Sequence, residues 1–565
     1  MKIKTIRLRN GIDLNINDIT VLVGPNNVGK SQTLRDIRSY LERGSQARAV
    51  IINDIELEWD NDFDSFLKRM NISDSKNTLG YKVISGLCSN LLNNDTCDFD
   101  YNYYAQLYNS EQSRKENIYG YLTKFFVSDL SSSNRLSLAS SVSSVNPETN
   151  NPTNLLQSLF LDNQIDPIIK NAFKDAFKMD IALDYSAMTM LSLRVAEKMP
   201  DIPDDPRKAY PITKDLAKIE DQGDGFRSLV GIILGLLFSK GRIVLLDEPE
   251  AFLHPAQARF LGKWIGDHKD LIEGQLLIST HNANFLSGIL ASGNNVDIYR
   301  LNRSANNTTF TALQSNSTKA LFENPLLSSQ RVVESVFYRG VVVCEADADR
   351  AVYQSVATIN HNSNEDVLFI HSQNKQTLHT VATLLKDASI PVAVIADIDA
   401  LNSEEQLTKL IASMSMTGNI TEEIINLRNK IASTVIGKSD NEALEDLANE
   451  IKTLLVQLEK KEHSLDGAKG ALNRIRKGIT SWSEIKSKGI TGFDDNVRDE
   501  VKYLLDKLKS IGVFIVPVGE LEGWMEVGTT QKNKWIVPAL EKIHKKEASP
   551  VLVSFVKEIL DFFNS

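Results

Sequence analysis

The sequence predicts an α/β protein in which short strands alternate with helices in two separate stretches. The first stretch contains a glycine-rich loop, Gly24–Ser31 (GPNNVGKS), between an apolar run and a helix-compatible segment. The second begins near residue 336, where apolar runs such as Gly340–Cys344 (GVVVC) and Pro391–Ala396 (PVAVIA) alternate with amphipathic segments. Such alternation predicts parallel sheets. At 565 residues the chain is long enough for about two to four domains.

The composition is that of an ordinary globular protein, with 42% apolar residues and a formal net charge of −10. This charge argues against a generally basic surface, so any nucleic-acid path would be a local groove. Cys88, Cys97 and Cys344 show neither metal-ligand spacing nor a disulfide framework, which indicates a reducing, cytoplasmic location. The N-terminus MKIKTIRLRN lacks the apolar core of a secretion signal, and the longest apolar run, about Leu229–Phe238, predicts no membrane span.

The glycine-rich loop predicts a nucleotide site. It follows the apolar run Ile19–Val23, and G-x-x-x-x-G-K-[ST] between a strand and a helix is the phosphate-loop pattern. Its main-chain N–H groups and the helix N-terminus would surround phosphate oxygens. Lys30 would reach the outer phosphates of ATP, and Ser31 would bind Mg²⁺. The predicted nucleotide-binding residues here are Gly24, Pro25, Asn26, Asn27, Val28, Gly29, Lys30, Ser31 and Gln32.

Acidic residues that would complete an ATPase follow the short strand Arg242–Leu246. Asp247 would hold Mg²⁺, and Glu248 would polarise the attacking water as a catalytic residue. His281 follows the next strand, Gln275–Ser279, and is placed to sense the γ-phosphate. A single histidine is by default structural, but its place after the neighbouring strand favours a catalytic role.

A second acidic group follows the strands of the second stretch. Glu345 and Asp349 come after GVVVC, Asp397 and Asp399 come after PVAVIA, and Glu520 and Glu522 come after Val513–Val518. Acids at the carboxyl ends of parallel strands converge on one crevice. Clustered carboxylates repel one another unless cations are present, and their oxygens suit Mg²⁺ or Mn²⁺. Acids also commonly cap strand ends, but three sets at strand ends favour a site in which two ions assist phosphodiester displacement.

The remaining segments predict the domain organisation. Residues 61–174 read as a helical and loop insertion with a flexible polar stretch at 128–154, and 402–510 reads as a charged helical insertion. The predicted divisions are an ATPase domain at 1–60 and 175–305, the insertion 61–174, a linker at 306–335, a second α/β domain at 336–401 and 511–545, the insertion 402–510 and a C-terminal helix at 546–565.

The segments Leu245–Pro255 (LLDEPEAFLHP) and Ser279–Leu286 (STHNANFL) resemble ABC-type ATPases of the SMC and OLD group. That resemblance implies two heads closing around two nucleotides, and therefore a homodimer or tetramer. Each head would contribute a signature loop, for which the candidate is Gln222–Ser228 (QGDGFRS), with Gly223 and Gly225 contacting the nucleotide. This loop departs from the family form LSGGQ because it lacks the leading serine.

The second stretch resembles the TOPRIM domain, whose pattern is a glutamate after the first strand and D-x-D after a later one. The whole chain thus resembles an OLD-family (overcoming lysogenization defect) nuclease, a group that includes bacterial anti-phage effectors. The resemblance implies metal binding by Glu345, Asp349, Asp397, Asp399, Glu520 and Glu522, with Glu345 and a downstream lysine, Lys532 or Lys534, as catalytic residues and Lys375 near the substrate. The family's glycine after the first glutamate is Ala346 here.

These observations favour an ATP-regulated, metal-dependent DNA endonuclease or nickase. The resemblance further implies an effector of anti-phage defence with a restraining or triggering partner, either a protein or an RNA–protein complex. One alternative is an ATP-driven nucleic-acid clamp or sensor whose second domain is structural, and another is an RNA-cleaving enzyme. A topoisomerase or primase is disfavoured, since no region resembles a nucleophilic-tyrosine domain and the cysteines supply no zinc module.

Overall fold

The computed structural model of the protein describes residues 1–68, 70–75, 78–146, 148, 152–162, 164–304, 307–313, 332–361, 366–372, 375–414, 418–435, 440–459, 481–528 and 532–563. The chain forms two compact units, Met1–Ser315 and Asn316–Ser565. Each unit contains its own sheet of mainly parallel strands, which confirms the α/β class predicted from the sequence.

The first unit combines several small sheets with one larger sheet. Its strands are β1 (Lys2–Leu8), β2 (Asp13–Asn15), β3 (Ile19–Val23), β4 (Ile52–Glu58), β5 (Asn71–Asp74), β6 (Tyr81–Leu87), β7 (Asn94–Asp100), β8 (Val127–Leu130), β9 (Val142–Ser143), β10 (Asp180–Asp184), β11 (Met190–Ala196), β12 (Ala217–Lys218), β13 (Ile243–Asp247), β14 (Gln275–Ser279), β15 (Asp297–Ser304) and β16 (Asn307–Leu313). Its α-helices include Lys30–Arg43, Phe63–Leu67, Tyr101–Tyr108, Glu111–Ser113, Ser132–Leu138, Leu155–Leu161, Asp166–Phe177, Pro206–Thr213, Asp224–Leu237, Pro255–Asp267, Lys269–Ile272 and Ala283–Leu290.

The larger sheet has the strand order β16–β15–β3–β14–β13–β8. All neighbouring pairs are parallel except the β15–β16 hairpin. Every residue of β3 and β14 is buried, as expected for central parallel strands that are covered on both faces and are mostly apolar. Asp247 pairs with Ser279 and Ser279 pairs with Leu22, so β13, β14 and β3 end side by side. The predicted nucleotide-site residues that follow these strands therefore share one edge of the sheet.

The polar stretch 128–154 differs from the predicted flexible loop. It begins within β8, which lies next to β13, and continues into the helix Ser132–Leu138. Ser128 is buried, and its hydroxyl oxygen accepts hydrogen bonds from Ser239 Oγ at 2.8 Å and Arg242 Nη1 at 3.1 Å. The prediction was wrong because the internal partners of this serine satisfy a polar residue inside the sheet, which sequence polarity alone does not reveal.

The rest of 61–174 also contains strands that the predicted helical and loop insertion did not include. β5, β6 and β7 form an antiparallel sheet, and β9 pairs with β11. The helical part of this segment includes the helix Tyr101–Tyr108, followed by the short helix Glu111–Ser113 and the wider turns of Arg114–Ile118. The strands were missed because β7 (NDTCDFD) is polar on its exposed face and has little apolar alternation.

The predicted linker 306–335 also differs in its first part. β16 pairs along its whole length with β15, from Ile298 with Leu313 to Ser304 with Asn307, and so completes the large sheet of the first unit. Its threonine-rich sequence (NTTFTAL) reads as polar, but threonine is a strand-favouring residue. Residues 306 and 314–331 lie outside the described residues.

The second unit is built on a parallel sheet of β17 (Gly340–Cys344), β18 (Val367–His371), β19 (Val392–Ala396) and β20 (Val513–Ile515), in the order β18–β17–β19–β20. Its α-helices include Asp347–His361, Leu378–Asp387, Glu404–Met414, Gly418–Thr434, Asp440–Glu459, Ser481–Lys488, Arg498–Ser510, Lys532–His544 and Pro550–Phe562. β17 and β19 are buried throughout and are neighbours, so the acids that follow them meet at one edge.

Two helices outside the predicted second domain belong to its core. Arg498–Ser510 was assigned to the helical insertion, but Leu504 and Leu508 are fully buried, and the helix leads directly into β20. The C-terminal helix Pro550–Phe562 places the ring of Phe555 5.0 Å from that of Trp524. The charged sequence of the first helix hides its buried face, because only one side of an amphipathic helix is apolar.

Candidate functional site

The glycine-rich loop connects β3 to the helix Lys30–Arg43 through three residues with positive φ. These are Gly24 at 137°, Asn27 at 62° and Gly29 at 106°. A Cβ at Gly24 would collide with the carbonyl oxygen of Leu301 on β15, so the strand neighbour requires glycine there. The loop is therefore held against the sheet, with the helix N-terminus at its end, in the arrangement that binds phosphate through main-chain N–H groups.

The ammonium of Lys30 is folded into the loop. Its Nζ donates to the carbonyl oxygens of Gly24 and Pro25, each at 2.7 Å, and the residue is buried. Burial lowers the pKa of Lys30, while the nearby carboxylates of Glu248, Glu250 and Asp247 act in the opposite direction. The carbonyl groups that accept these hydrogen bonds are neutral, so the positive charge of the ammonium is available to bind a phosphate.

Asp247 lies at the end of β13 among hydroxyl groups. Its Oδ1 accepts a hydrogen bond from Ser31 Oγ at 2.9 Å and a second from Ser279 Oγ. The side chains predicted to bind the magnesium of Mg-ATP, Ser31 and Asp247, are thus in direct contact across 216 residues of sequence. A hydroxyl and a carboxylate that meet in this way suit a hard divalent cation.

Glu248, Glu250 and His281 form a second cluster beside Asp247. Nδ1 of His281 lies 3.4 Å from Glu248 Oε1 and 3.3 Å from Glu250 Oε1. Glu250 is buried, and its Oε1 accepts hydrogen bonds from Thr280 Oγ1 at 2.9 Å and from the main-chain N–H of His281 at 3.0 Å. Burial raises the pKa of Glu250. Glu250 therefore fixes the loop that carries the histidine, and its place in LLDEPE is the only sequence feature that indicates this role.

Arg135 was also missed by sequence reasoning. Its side chain is fully buried, and Nη1 donates to the main-chain oxygen of Asp247 at 2.9 Å. Burial lowers its pKa to about 10, against the opposing influence of Glu250, Asp247 and Glu248. Within the described residues, Nε and Nη2 of Arg135 have no hydrogen-bond partner. The residue lies in the stretch interpreted as a loop, so only its position beside β13 identifies it.

The candidate signature loop precedes the helix Asp224–Leu237. Gly223 caps this helix, and a Cβ at Gly223 would meet open space. Gly225 lies in the first turn, where a Cβ would be 2.8 Å from the carbonyl oxygen of Phe252. Gly225 is therefore explained by close packing, whereas the exposed position of Gly223 is compatible with the predicted nucleotide contact from a second head.

The other predicted nucleotide residues have mixed surroundings. Asn26 and Asn27 are exposed at the tip of the loop, whereas Val28 is buried in the hydrophobic core. Gln32 donates from Nε2 to Asp36 Oδ1 at 2.7 Å, so its side chain is directed along the helix. Any phosphate contact from Val28 or Gln32 would therefore involve main-chain N–H groups.

The second unit brings Glu345, Asp397 and Asp399 together. One carboxylate oxygen from each residue lies within 4.8 Å of the others. Glu345 Oε1 also accepts the main-chain N–H of Asp397 at 3.0 Å, which ties the end of β17 to the end of β19. This is the convergence that parallel strand order and strand-end position predicted.

The three carboxylates differ in their proton affinity. Burial raises the pKa of Glu345, and burial together with the charge of Glu345 raises the pKa of Asp397 well above its ordinary value. Burial acts in the same direction at Asp399, but hydrogen bonds from Lys375 and Lys486 outweigh it and lower the pKa of that carboxyl. Negative charge is thus crowded at this edge, which is the condition that a bound cation relieves.

Two lysines contact this cluster. Lys375 Nζ lies 2.7 Å from Asp399 Oδ1, and its place near the substrate stays a prediction. Lys486, from the helix Ser481–Lys488, lies 2.9 Å from Asp399 Oδ2, 3.7 Å from Asp397 Oδ2 and 4.0 Å from Glu520 Oε2. Lys486 was not singled out in the sequence, because it is one of many lysines in a charged helical segment, 87 residues from Asp399.

The other predicted metal ligands lie outside the three-carboxylate group. Asp349 is buried, and its Oδ2 accepts the N–H of Ala346 at 2.9 Å, so it fixes the turn after Glu345. Glu520 approaches the group through Lys486, at 4.0 Å. Glu522 lies half-buried in the short helical turn Leu521–Trp524 and is not a member of the group.

The downstream lysines lie on the helix Lys532–His544. Lys534 is exposed and forms no ion pair with the carboxylates of the described residues. The side chain of Lys532 lies outside the described residues. The predicted role of these lysines at the reacting phosphate stays a prediction.

The donor set fits divalent metal. It consists of carboxylate oxygens only, from two adjacent strand ends, and two of the three acids have raised pKa values that a cation would lower. Hard oxygen donors of this kind select Mg²⁺ or Mn²⁺ over softer metals. Glu345, Asp397 and Asp399 are the residues that would hold the ions.

Two protein families match consecutive parts of the chain. Residues 128–287 match the AAA_21 family, described as "AAA domain, putative AbiEii toxin, Type IV TA system". Residues 336–399 match the family described as "Overcoming lysogenization defect protein-like, TOPRIM domain". The first match includes β8, β13 and β14, and the second ends at Asp399. The protein is therefore a P-loop ATPase head joined to a TOPRIM domain.

An ATPase followed by an OLD-like TOPRIM domain is the architecture of the overcoming lysogenization defect (OLD) family, and this chain has that architecture. The resemblance seen in LLDEPEAFLHP, in the glutamate after β17 and in the D-x-D after β19 is thereby confirmed.

Three solved structures illustrate more distant likeness. An Smc head bound to the C-winged helix domain of ScpA is 14% identical over 56% of this chain and 98% of that chain, with a TM-score of 0.31. An Smc head domain with an extended coiled coil from Pyrococcus furiosus is 11% identical over 57% and 98%, with a TM-score of 0.31. The C-terminal region of the OLD protein of Xanthomonas campestris pv. campestris is 11% identical over 40% and 95%, with a TM-score of 0.18. All three TM-scores are below 0.5, so these likenesses do not establish a shared fold or function. A search of curated proteins finds no match.

Among the described residues, no helix has both the length and the apolar content needed to cross a bilayer.

Proposed function

We propose that the protein is an ATP-regulated, divalent-metal-dependent endonuclease or nickase that cuts DNA. The observation that carries the proposal is the meeting of Glu345, Asp397 and Asp399 at the ends of adjacent parallel strands, in a domain that matches the OLD-like TOPRIM family. Two divalent ions bound there would stabilise the attacking and leaving oxygens of a phosphodiester displacement.

The protein's own groups have separate duties in this reaction. Glu345 holds the two strand ends in register through its hydrogen bond to the N–H of Asp397. Asp397 and Asp399 supply carboxylate oxygens that would hold the metal ions. Lys375 lies beside Asp399, where it would bind a phosphate oxygen of the substrate. Lys532 or Lys534 remains the proposed source of a further cation near the reacting phosphate.

A cavity beside Lys375 supports a nucleotide substrate. It has a volume of about 380 Å³, and its other polar lining residues are Gln376, His379, Ser403, Glu405, Gln406 and Lys409, of which Glu405 pairs with Lys409. The apolar part of its wall is formed by Leu378, Ala396, Ala400 and Leu410. Amide, imidazole and ammonium groups around an apolar wall suit a nucleobase and its phosphate. We propose that the nucleotide next to the cleaved bond lies in this cavity.

ATP has a controlling role in the proposal. Lys30, Ser31 and Asp247 would bind Mg-ATP, Glu248 would act as the general base of hydrolysis, and His281 would contact the γ-phosphate. The carboxylate centre needs no nucleotide for its chemistry, since a metal site activates water by itself. Nucleotide binding therefore governs when the second centre acts.

We also propose that the protein is a cytoplasmic defence effector that is restrained by a protein or RNA–protein partner.

We further propose that the ATPase heads assemble in even numbers, as a dimer or tetramer. The open position of Gly223 at a helix N-terminus supports contact with a nucleotide held by a second head. Sedimentation of Glu248→Gln with and without ATP tests the assembly, because a protein that binds but does not hydrolyse ATP should accumulate in the larger form.

The nuclease proposal is tested with plasmid DNA and Mg²⁺ or Mn²⁺. The double variant Asp397→Asn, Asp399→Asn should cut at least about a thousandfold more slowly than wild type, because metal contributes several kcal/mol to such a transition state. Asp347→Asn is the matched control, since Asp347 begins the helix after the neighbouring strand β17 but pairs with Arg350 at 2.7 Å and does not belong to the three-carboxylate group. Equal cutting by wild type and the double variant would refute the proposal.

The alternatives are separated in the same assay. A single-stranded RNA of matched sequence tests RNA cleavage, and preferential cutting of the RNA would replace DNA in the proposal. An ATP-driven clamp with a structural second domain would bind DNA in an ATP-dependent way and would leave it intact with either metal.

A further inference from the structure

Lys486 lies where it neutralises the acids of the carboxylate centre. Its Nζ is 2.9 Å from Asp399 Oδ2, 3.7 Å from Asp397 Oδ2 and 4.0 Å from Glu520 Oε2. By contrast, Lys375 is paired with the other oxygen of Asp399, Oδ1. Of the two lysines, Lys486 is the one that reaches more than one acid of the cluster.

The main chain that carries Lys486 is fixed against the domain. Gly519 has a φ of 104°, and a Cβ there would collide with the carbonyl oxygen of Lys486. Gly489 has a φ of 63°, and a Cβ there would collide with the carbonyl oxygen of Pro517, which accepts the N–H of Ile490 at 2.9 Å. The helix end therefore cannot retreat without breaking these close contacts, whereas the four-carbon side chain can swing.

The loop held by these contacts also supports the acids. The carbonyl oxygen of Gly519 accepts the N–H of Ile398, between Asp397 and Asp399, at 3.0 Å. The helical segment before residue 490 and the D-x-D turn are thus joined through one loop. The position of the main chain that carries Lys486, relative to the two aspartates, is therefore built into the fold.

An ammonium and a divalent ion compete for the same oxygens. Asp397 and Asp399 supply two of the three grouped ligand atoms, and an ion among those atoms would repel an ammonium held 2.9–3.7 Å from the same side chains. Either the lysine leaves or the ion binds weakly.

We propose that Lys486 is a built-in counter-ion of the carboxylate centre, which a divalent metal ion must displace from Asp397 and Asp399 in order to bind. The helix Ser481–Lys488 thereby lowers the metal affinity of the nuclease. This inference rests on the proposed metal dependence. Once displaced, the tethered ammonium stays beside the centre, where the phosphates of a nucleic acid are its natural partners.

The first test is Mn²⁺ binding to the full-length protein without nucleotide, by titration calorimetry. Lys486→Met should bind Mn²⁺ about tenfold more tightly than wild type, and Lys486→Arg, which keeps the charge, should bind it as weakly as wild type. Lys488→Met is the matched control, because Lys488 lies on the same helix but pairs with Glu484 at 2.6 Å. Unchanged or weaker binding by Lys486→Met would overturn the inference, since it would make Lys486 an orienting residue.

The second test uses the wild-type chain and does not depend on a variant that folds. Lysine acylation by a small amine-reactive reagent is followed by peptide mass spectrometry with and without Mg²⁺. Addition of Mg²⁺ should increase the modification of Lys486 severalfold and leave Lys488 unchanged. Equal modification of Lys486 under both conditions contradicts displacement.

The two proposals fail in different ways. If Asp397→Asn, Asp399→Asn binds Mn²⁺ as wild type does, the metal site itself is absent and both proposals fall. If the double variant loses Mn²⁺ binding but Lys486→Met gains none, the metal site stands and only the counter-ion is rejected.

Discussion

The nucleotide site and the carboxylate centre are both built at the carboxyl ends of parallel strands, but they balance charge differently. At the nucleotide site, the hydroxyl groups of Ser31 and Ser279 hold Asp247, and carbonyl groups hold Lys30. At the carboxylate centre, two lysines hold Asp399 directly.

This difference distinguishes a site whose charges remain available to a ligand from a site whose charges are already neutralised by lysines. Neutral hydroxyl and carbonyl partners leave the charges of the first site available to Mg-ATP. Ammonium partners cancel the charges of the second site and must yield when metal enters. In the proposed function, the same strand-end geometry would therefore serve a nucleotide switch in one unit and a restrained metal centre in the other.

Among the changes that test this comparison between the two sites, the largest expected effect concerns Glu248 in the first site. Glu248→Gln should lower the ATP hydrolysis rate by about two to three orders of magnitude, because the proposed general base is lost while the binding groups remain. Phosphate release and nucleotide binding measure the two steps. Glu273→Gln, which changes an exposed carboxylate paired with Lys240 at 2.9 Å, is the control. A hydrolysis rate that stays at the wild-type level would remove Glu248 from the mechanism.

Arg135 tests whether the first site depends on a buried cation. Arg135→Leu removes the hydrogen bond to the carbonyl oxygen of Asp247 and should lower the unfolding free energy by about 2 kcal/mol and ATP hydrolysis by about tenfold. Urea unfolding and phosphate release measure these effects. Arg207→Leu, in which an exposed arginine pairs locally with Asp205, should change neither. Unaltered hydrolysis in a folded Arg135→Leu protein would restrict Arg135 to packing.

Lys375 tests whether a lysine of the second site binds a substrate phosphate. Lys375→Met should lower the cutting rate by about tenfold, mainly through a higher KM, because the residue is proposed to bind a substrate phosphate beside Asp399. Steady-state cleavage of a fluorescent duplex separates KM from kcat. Lys409→Met should have the smaller effect, because Lys409 lines the same cavity but pairs with Glu405 at 2.6 Å. A change confined to kcat would contradict substrate binding by Lys375.

The smallest expected effect is on stability in the absence of metal. The pKa of Asp397 is raised in the folded protein, so its contribution to stability is present below the unfolded value of about 3.9 and is lost as the pH rises through the folded value. With a chelator at pH 8, Asp397→Asn should therefore melt about 3 °C higher than wild type, and the difference should vanish near pH 4. Calorimetry at both pH values measures this. A lower melting temperature for Asp397→Asn at pH 8 would contradict crowded negative charge.

The sequence predicted two kinds of feature: those that lie in one contiguous stretch, and those in which each functional residue directly follows a buried strand. GPNNVGKS lies in one stretch, and Glu345, Asp397 and Asp399 each follow an apolar run, so topology alone brings them together. The long buried strands β3, β13 and β14 were identified for the same reason.

The remaining features depend on contacts that no local pattern encodes. β8 contains polar residues and was therefore interpreted as part of a loop. Its residue Ser128 can be buried in the sheet because it has internal hydrogen-bond partners. Arg135 follows that strand and matters only because β8 lies beside β13. Lys486 is separated from Asp399 by 87 residues, and its position depends on the close approach of Gly489 and Gly519 to neighbouring main-chain atoms.

The central claim is that the nucleotide site controls and the carboxylate centre cuts. Metal-dependent plasmid cutting by Lys30→Ala, without a restraining partner, tests it most directly. Lys30→Ala should lose nucleotide binding, because it lacks the phosphate-binding ammonium, and should retain at least part of the cutting activity. Complete loss of cutting in a folded Lys30→Ala protein would place the glycine-rich loop in the catalytic cycle and contradict the account.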